Sequence, residues 1–517
     1  MTRLAYFVLI VILSVSDNEG ARILAVFPTP SISHQVVFRP LVHELAKRGH
    51  DVTIITTDPV FPKGGAPANL TEVDVHDISY KLCDDLIKTS SGRQSDIKNQ
   101  MAVLFETIGK VFRYQMETKE VQDIIKNKKF DLLMLEAIAR PALALSHVFK
   151  VPVIQVSSFG AVFGNYETIG APVHPLLYPS LVRQRIYNLT FWEKVTELYK
   201  QYYLTWLHHT MEDRENAMVK IIFGADTPSL SELSNNVDMM FLNMHPIWEG
   251  IRPVPPGVIY MGGLHQIPVK ELPQELKSYL DSAANGVIYI SFGTNVNPSQ
   301  LPADKIQVLA KVFSELPYNV LWKWDKDVLP GQSENIKISK WLPQSDLLRH
   351  PNVKLFITQG GLQSTDEAIT AGVPLIGMPM LGDQWFNVEQ YTFHKIGLRL
   401  DMETLTEERF KNAVEEVIKD ESYRENIKRL RILMDDQPQS PLERAVWWTE
   451  YVIRHSGARH LRAPAANMSW HQYLELELVL NLFAIILILS SAILALLFFI
   501  ISRIVSRKYV VVKLKAS

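Results

Sequence analysis

The sequence predicts an α/β protein made of two doubly wound parallel sheets and one membrane-spanning helix. Continuous apolar runs, typical of parallel strands covered on both faces, alternate with amphipathic helical segments in two blocks. A proline-rich stretch separates the blocks, and an uncharged run extends from Leu478 to Ser502 near the end of the chain. The length of 517 residues allows about three domains, and two large α/β domains fit equally well.

The first block contains four predicted strands and a helix after the first of them. Val37, Leu41 and Leu45 recur every four residues, and Gly49 ends the helix. Pro40 interrupts this pattern and predicts a kink or a later start. The predicted strands are Ile23–Phe27, Asp51–Thr56, Asp131–Leu135 and Val151–Val156.

The region from Phe163 to Val237 is rich in aromatic residues and less regular. Such residues favour a buried core; an apolar ligand pocket and a membrane-facing patch are the alternatives. Prolines between 253 and 273 then indicate a linker. The aromatic residues are Tyr187, Phe191, Trp192, Tyr199, Tyr202, Tyr203 and Trp206.

The second block repeats the alternation of strands and helices. Its predicted strands are Gly286–Phe292, Asn319–Trp324, Ile336–Lys340 and Val353–Thr358, with helices at about 302–315, 361–371, 382–394, 405–419, 421–434 and 440–456. The predicted organisation is a signal peptide at 1–21, an N-terminal Rossmann-like domain at 22–245, a linker at 246–285, a C-terminal Rossmann-like domain at 286–456, a juxtamembrane segment at 457–477, a transmembrane helix at 478–502 and a cytosolic tail at 503–517.

The two ends of the chain predict its compartment. Arg3 and the apolar run Leu4–Val15 are typical of a signal peptide, the alternative being a buried N-terminal strand. The basic residues after Ser502 predict a cytosolic tail and a lumenal catalytic region. Lys513 and Lys515 resemble a dilysine signal for the endoplasmic reticulum, the alternative being a basic cluster beside the membrane. Three glycosylation sequons begin at Asn69, Asn188 and Asn467.

The composition excludes several classes of protein. A hydrophobic fraction of 47% excludes a disordered chain, and 53 basic against 55 acidic residues offer no case for nucleic-acid binding. The single cysteine, Cys83, excludes an internal disulfide and a multi-cysteine metal cluster, and we expect it to be buried. The usual dinucleotide and P-loop fingerprints are missing from the sequence.

A glycine turn in the second block is the most informative local motif. The strand ends at Thr358, Gly360 and Gly361 follow, and a helix begins. Glycines let the backbone approach a ligand, and a helix N-terminus offers unpaired N–H groups, so the turn suits a phosphate. An alternative is that Ser364 and Glu367 form a capping box.

Several short motifs occur together in one enzyme family: Trp341-Leu342-Pro343-Gln344, the run from Phe356 to Ala368, Gly372-Val373-Pro374, Asp383-Gln384, Ser291-Phe292-Gly293-Thr294 and the run from Ser440 to Trp448. On these residues the chain resembles the UDP-glycosyltransferase family, most closely the membrane-bound insect members. The resemblance implies a GT-B fold, in which an acceptor-binding N-terminal domain faces a UDP-sugar-binding C-terminal domain across a cleft.

The resemblance also implies the roles of the donor-binding residues. Trp341 would stack on uracil, Gln344 would bond the base, and Glu367 would bind the ribose hydroxyls. The other implied donor residues are Thr294, Gly361 and Ser364 at the diphosphate, Asp383 and Gln384 at the sugar, and Arg252, whose alternative is a surface charge of the linker. Gln359 stands where many relatives have His, so it can donate to a phosphate oxygen but cannot become cationic.

His34 is the candidate catalytic base. It follows the first strand and therefore lies at the carboxyl edge of the sheet, where open α/β sheets bind ligands. It also matches the catalytic His of the family. Glu136 follows the strand Asp131–Leu135 at the same edge, where relatives commonly carry Asp, and a carboxylate there can orient the imidazole. The alternative for Glu136 is a solvated rim carboxylate.

The implied reaction is an inverting hexosyl transfer from a UDP-sugar to a hydroxyl group, with no cofactor and no metal. The triplet Asp325-Lys326-Asp327 resembles a metal-binding motif, but a surface turn is expected. The alternatives are a membrane-anchored lipophile-binding protein without turnover and a metal-dependent transferase of another fold. We expect glucose as the sugar and a small lipophilic acceptor such as a phenol, flavonoid or steroid; a homo-oligomer is left open.

Overall fold

The computed structural model describes residues 20–88 and 97–515. The predicted signal peptide therefore lies almost entirely outside the described residues. The N-terminal domain contains a seven-stranded parallel sheet in the order β3-β2-β1-β4-β5-β6-β7. Its strands are β1 (Arg22–Phe27), β2 (Asp51–Thr56), β3 (Leu70–Asp74), β4 (Leu132–Glu136), β5 (Val153–Ser157), β6 (Val237–Leu242) and β7 (Val258–Tyr260).

The C-terminal domain contains a six-stranded parallel sheet in the order β10-β9-β8-β11-β12-β13. Its strands are β8 (Val287–Ser291), β9 (Asn319–Lys323), β10 (Ile336–Ser339), β11 (Val353–Thr358), β12 (Leu375–Gly377) and β13 (Gly397–Arg399). The central strands β1, β4, β8 and β11 are mostly apolar and buried because helices cover both faces of each sheet. Two doubly wound domains are thereby confirmed.

The helices follow the strands in chain order, together with short 3-10 turns. In the N-terminal domain they are α1 (Ile32–Lys47), α2 (His76–Lys88), α3 (Ile97–Met116), α4 (Lys119–Asn127), α5 (Ala144–Phe149), α6 (Asn165–Ile169), α7 (Phe191–Phe223), α8 (Leu230–Leu233) and α9 (Pro246–Glu249). Further along they are α10 (Gln274–Asp281), α11 (Ala303–Glu315), α12 (Gln344–Leu348), α13 (Leu362–Ala371), α14 (Gln384–Phe393), α15 (Glu407–Lys419), α16 (Ser422–Asp435), α17 (Pro441–Arg454), α18 (Trp470–Tyr473) and α19 (Leu476–Lys515).

Helix α1 differs from the prediction at its start. It begins at Ile32, directly after the loop that follows β1, and continues through Pro40. A later start was therefore wrong. Val37, Leu41 and Leu45 are fully buried against the sheet, so the apolar stripe alone identified the helix face that packs.

The domain ranges also differ in detail. β7 lies inside the predicted linker, 246–285, and pairs with β6, whereas α10 packs in the C-terminal core through Leu276 and Leu280. Helix α17 returns to the N-terminal domain, where Ala445 and Val446 pack in the same cluster as α1. An apolar helix face indicates that the helix packs, but not against which domain it packs.

The aromatic residues of α7 are mostly outside the core. Phe191, Trp192, Tyr199, Tyr202 and Trp206 are all more than half exposed, so the expectation of a buried core was wrong for them. The helix packs along one side only, with Leu204 and Leu207 buried towards α3. A 33-residue helix presents several faces, and the aromatic one is not covered.

One helix among the described residues is long and apolar enough to cross a membrane. This segment, Leu476–Arg507 within α19, contains the predicted span. Its length and composition agree with a membrane anchor.

Candidate active site

The candidate site lies where the two sheets face each other. Strand order reverses between β1 and β4 in the first sheet and between β8 and β11 in the second. Such switch points leave a crevice at the carboxyl ends of parallel strands, and ligands bind there. A cavity of about 2260 Å³, lined by both domains, occupies this position. It exceeds the roughly 300–1,000 Å³ of an ordinary ligand pocket, so it has room for two substrates.

His34 and Glu136 form a hydrogen-bonded pair at the N-terminal switch point. His34 lies in the first turn of α1, and Glu136 is the last residue of β4. The distance from His34 Nδ1 to Glu136 Oε1 is 2.8 Å, and the backbone N–H of Thr29 donates to Oε2 at 3.0 Å. Because a carboxylate only accepts hydrogen bonds, Nδ1 carries the proton and Nε2 can accept another.

Burial distinguishes the two members of this pair. The Glu136 side chain is 1% exposed, whereas the His34 side chain is 14% exposed and lines the cavity. The ring of Phe159 lies edge-on to His34, with centroids 5.4 Å apart. The imidazole is therefore held by a buried acid on one side and faces substrate space on the other. A solvated rim position for Glu136 is thereby excluded.

The glycine turn leaves room for a ligand beside the backbone at the C-terminal switch point. Gly360 has φ +90°, and a Cβ at this position would lie 2.5 Å from Cγ2 of Val388. Gly361 is the N-cap of α13, and the first residues of that helix line the cavity. The initial N–H groups of a helix have no intrahelical partner, so this turn can receive an anion.

Gln359 lies beside this turn and is buried. Its Nε2 occupies the space above Gly293, since a Cβ on Gly293 would approach Nε2 to 2.3 Å. Within the described part of the chain, Gln359 Oε1 has no hydrogen-bond partner. The side chain lines the cavity at the place predicted for a phosphate.

A hydrogen-bond network organises the predicted base and ribose site. Gln344 donates from Nε2 to Ser364 Oγ at 2.9 Å and to Glu367 Oε2 at 2.7 Å, while its Oε1 accepts from the hydroxyl of Tyr289 at 2.9 Å. Burial raises the pKa of Glu367. Ser364 lies inside the first turn of α13 and Gly361 is the N-cap, so the capping-box alternative was wrong.

Trp341 is the exposed member of this site. Its side chain is 66% exposed and lines the cavity, as a stacking platform requires. The Lys323 ammonium lies 4.8 Å from the Trp341 ring centroid and donates to Gly293 O at 2.8 Å. Burial lowers the pKa of Lys323. We did not predict Lys323, although its place at the end of β9 was a signal.

Asp383 and Gln384 lie at the start of α14, beside the glycine turn. Gln384 Oε1 accepts from the backbone N–H groups of Met380 and Leu381, both at 2.8 Å, which fixes the loop before the helix. Burial raises the pKa of Asp383 to about 6. Asn387 was missed: its Nδ2 donates to Asp383 Oδ2 and to Gly360 O, both at 2.9 Å. Its signal was the spacing of four residues from Asp383.

Arg252 differs from the role that we predicted. Its side chain is buried, its Nε lies 3.5 Å from Glu249 Oε1, and its guanidinium lies 4.0 Å from the ring centroid of Tyr166. It also donates to the carbonyl oxygens of Pro172 and Tyr178. These partners belong to the N-terminal half. Arg252 also lines the cavity, but its partners among the described residues are these N-terminal groups and not the predicted donor residues.

Two predicted positions remain to be located, namely Thr294 and the triplet Asp325-Lys326-Asp327. Thr294 is exposed after β8 and lines the cavity. The Asp325 carboxylate accepts from the Ser299 N–H and hydroxyl, and Asp327 is an exposed partner of Lys340. In the described ranges, no group of three or more His, Cys, Asp or Glu could hold a metal ion.

The three sequons differ in what their asparagines do. Asn69 Nδ2 donates to the carbonyl oxygens of Ala46 and His50 near the end of α1. Asn467 Nδ2 donates to Asn235 Oδ1 at 2.7 Å. Asn188, by contrast, has an exposed side chain in the loop before α7.

Comparisons with known proteins concern the family and the fold of the chain. The model of the family described as "UDP-glucoronosyl and UDP-glucosyl transferase" matches residues 22–511. The chain is 37% identical over 494 residues to the ecdysteroid UDP-glucosyltransferase of Spodoptera littoralis nuclear polyhedrosis virus, covering 92% of this chain and 96% of that one. It is 35% identical over 483 residues to UDP-glycosyltransferase UGT5 of Dactylopius coccus, with coverages of 91% and 90%.

Solved structures with the same fold are glycosyltransferases of GT-B architecture. A UDP-glucose: anthocyanidin 3-O-glucosyltransferase in complex with UDP matches with a TM-score of 0.59 and 17% identity, covering 84% of this chain and all of that one. The glycosyltransferase of kitacinnamycin matches with a TM-score of 0.59 and 18% identity, with coverages of 84% and 99%. The predicted fold class is thus confirmed.

Proposed function

Because the chain belongs to the UDP-glucoronosyl and UDP-glucosyl transferase family and is a glycosyltransferase, we propose that it transfers glucose from UDP-glucose to a hydroxyl group of a small lipophilic acceptor, with inversion at the anomeric carbon. The observation that carries this proposal is the His34–Glu136 pair, which faces the glycine turn across one cavity.

The proposed chemistry begins at His34. Its Nε2 takes the proton from the acceptor hydroxyl while the oxygen attacks the anomeric carbon on the face opposite to UDP. Positive charge then develops on the imidazole, and the buried carboxylate of Glu136 stabilises it through the 2.8 Å hydrogen bond. Glu136 also holds the tautomer in which Nε2 can accept.

The C-terminal domain would hold UDP-glucose and stabilise the departing UDP. We assign uracil stacking to Trp341, base recognition to Gln344 and ribose binding to Glu367. The N–H groups at the start of α13, with Gln359 and Ser364, would contact the diphosphate, since negative charge grows there in the transition state. We expect no divalent metal requirement, and EDTA should leave the activity unchanged.

Asp383 and Gln384 would complete the donor site by contacting the glucose hydroxyls. Asp383 suits this role because its carboxylate accepts hydrogen bonds, and Asn387 already orients one of its oxygens. We no longer assign Arg252 to the phosphates, because its two Nη atoms donate to carbonyl groups and its Nε, which has no hydrogen-bond partner among the described residues, lies beside Glu249.

A steroid is the acceptor class that the relatives favour. Several similar proteins are named ecdysteroid UDP-glucosyltransferases, which gives both a glucosyl donor and a steroid acceptor for those proteins. The apolar wall of the cavity beside His34, with Phe105, Ile108 and Phe159, suits such a flat molecule.

The test is an assay of microsomes that contain the protein. UDP-glucose, UDP-glucuronate and UDP-galactose are each offered with a panel of steroids, flavonoids and simple phenols, and products are identified by mass spectrometry. We expect a glucoside with UDP-glucose and a β-linkage at the new bond. Transfer from UDP-glucuronate alone, or an α-linked product, would contradict the proposal.

We further propose a type I orientation in the endoplasmic reticulum membrane, with both domains in the lumen. The supporting feature is the apolar helix followed by the basic residues Arg503 and Arg507. In a lumenal protein we expect a glycan on Asn188, since the amide nitrogens of Asn69 and Asn467 already donate hydrogen bonds. A glycosidase-sensitive mass shift that Asn188→Gln removes would support this topology.

A further inference from the structure

The acceptor side of the cavity contains a second imidazole that the proposed reaction does not use. His208 lies on α7, lines the cavity and is only partly exposed. We propose that His208 donates a hydrogen bond from Nε2–H to an oxygen atom of the acceptor, at the opposite end from the hydroxyl that reacts. This inference rests on the proposed function, since it concerns the acceptor of that transfer.

The Arg140 guanidinium determines which nitrogen of His208 carries the proton. Arg140 Nη1 lies 3.4 Å from His208 Nδ1, and Nη2 donates to the His208 carbonyl oxygen at 3.0 Å. A guanidinium has no acceptor atom, so Nδ1 must accept this hydrogen bond. The proton of the neutral ring therefore resides on Nε2.

Arg140 is itself held in place by two acidic residues of α7, the helix that contains His208. Its Nε donates to Glu215 Oε2 at 2.6 Å, and its Nη1 lies 3.7 Å from Glu212 Oε2. With both ends of the guanidinium occupied, its position against Nδ1 does not depend on a ligand. The tautomer of His208 is therefore set before an acceptor binds.

Two phenylalanine rings hold the imidazole of His208. Phe163 stacks on it with centroids 5.7 Å apart, and Phe105 meets it edge-on at 5.3 Å. Burial, assisted by the charge of Arg140, keeps the pKa of His208 well below its ordinary value. Within the described ranges, no protein group bonds its Nε2. The ring thus offers the cavity one unused neutral donor.

The loop after β5 connects this donor to the reacting end of the site. Phe159 in that loop contacts His34, and Phe163, four residues later, stacks on His208. Phe105, on α3, lies edge-on to Phe163 with ring centroids 5.6 Å apart and also lines the cavity. An acceptor that spans these rings has one hydroxyl at His34, a flat apolar body and an oxygen at His208.

The chemical class that fits is a rigid polycycle with a hydroxyl at one end and a carbonyl, ether or second hydroxyl oxygen at the other. A polycycle without that second oxygen would leave the imidazole N–H buried and unpaired. The loss of one such hydrogen bond costs about a factor of ten in affinity.

The test compares two phenolic steroids that differ in a single functional group. Estrone has a single reactive hydroxyl on its A ring and a ketone at the far end; 17-deoxyestrone lacks the ketone. We expect kcat/KM with UDP-glucose to favour estrone by about tenfold, mainly through KM. In His208→Phe, which keeps the aromatic stacking but removes the donor, the preference should fall to about twofold or less. His208→Gln, which retains an N–H donor, should keep part of the preference.

The controls separate this inference from the proposed function. If the wild-type protein turns over neither steroid, the same comparison is made on equilibrium binding of the two steroids to the UDP-loaded protein. In that case the failure belongs to the proposed function, and the binding ratio still tests His208. Equal kcat/KM or affinity for the two steroids, parallel losses for both in His208→Phe, or no binding of either would overturn the inference.

Discussion

The two switch points of this molecule have the same topology but are built from different kinds of groups. At the C-terminal one, backbone N–H groups, glycines and short polar side chains line the cavity; at the N-terminal one, a titratable pair lies among aromatic rings. Gln344 meets Ser364 and Glu367 across only 20 and 23 positions of the chain, whereas His34 meets Glu136 across 102. The predicted donor-binding residues are therefore close together in the sequence. The His34–Glu136 pair, by contrast, is brought together by the N-terminal sheet.

The comparison implies that the N-terminal switch point supplies chemistry and the C-terminal one supplies binding. Removing groups from the first should lower kcat, and removing the base and ribose contacts of the second should raise the KM for UDP-glucose. The following predictions test this division, from the largest expected effect to the smallest.

The largest effect is expected for His34→Ala. Loss of the general base should lower kcat by about 10²–10⁴-fold, while the Kd of UDP, measured by calorimetry, stays within about twofold. His76, an exposed imidazole in the same domain, provides the matched control His76→Ala, whose kcat should be normal. A near-normal kcat in His34→Ala would remove this residue from the mechanism.

Glu136→Ala should be the next most severe change. The imidazole loses its tautomer control and the charge that stabilises its protonated form, so kcat should fall by about 10²–10³-fold. Glu136→Asp should recover part of the rate because it restores a carboxylate on a shorter side chain. Steady-state kinetics at saturating UDP-glucose measure both, and an equal loss in the two variants would contradict the assigned role.

Glu367→Ala should affect binding more than turnover. The ribose hydroxyls lose a charged hydrogen-bond acceptor, so the KM for UDP-glucose should rise by about tenfold or more while kcat changes little. Glu334→Ala, at an exposed position of the same domain, is the matched control. A fall in kcat without a change in KM would break the division between the two switch points.

The smallest effect on activity but a clear effect on stability is expected for Asp366→Asn. Burial, reinforced by the charge of Glu367, raises the pKa of Asp366 to about 8, and Oδ2 has no hydrogen-bond partner among the described residues. Between pH 4 and pH 8 the folded state therefore keeps a proton that the unfolded state releases, and stability falls as pH rises.

The Asp366→Asn variant should not lose stability in this way as the pH rises, because an amide side chain does not titrate. At pH 7 its free energy of unfolding should exceed that of the wild type by on the order of 2 kcal/mol, and near pH 4 the two should converge. Thermal melts across this pH range measure the difference. A gain that is as large at pH 4 as at pH 7 would show that the carboxyl does not titrate as described.

Much of the site could be predicted because its parts follow strand ends. The position of His34 after β1 and of the glycine turn after β11 followed from apolar runs and local residue types, and the structure brings both to one cavity. Arg252 could not be placed in this way, because Tyr166, Pro172 and Tyr178 reach its guanidinium only through tertiary packing.

Local sequence determined eight of the thirteen described strands, the packed face of α1 and the anion-receptive turn, because each depends on side-chain periodicity and backbone freedom within a few residues. Tertiary structure alone decided that α17 returns to the N-terminal domain, that the α7 aromatics stay exposed, and that His208 is held by Arg140. The physical reason is that an apolar face or a charged group specifies the chemistry of its partner, whereas the position of that partner follows from the packing of the whole chain.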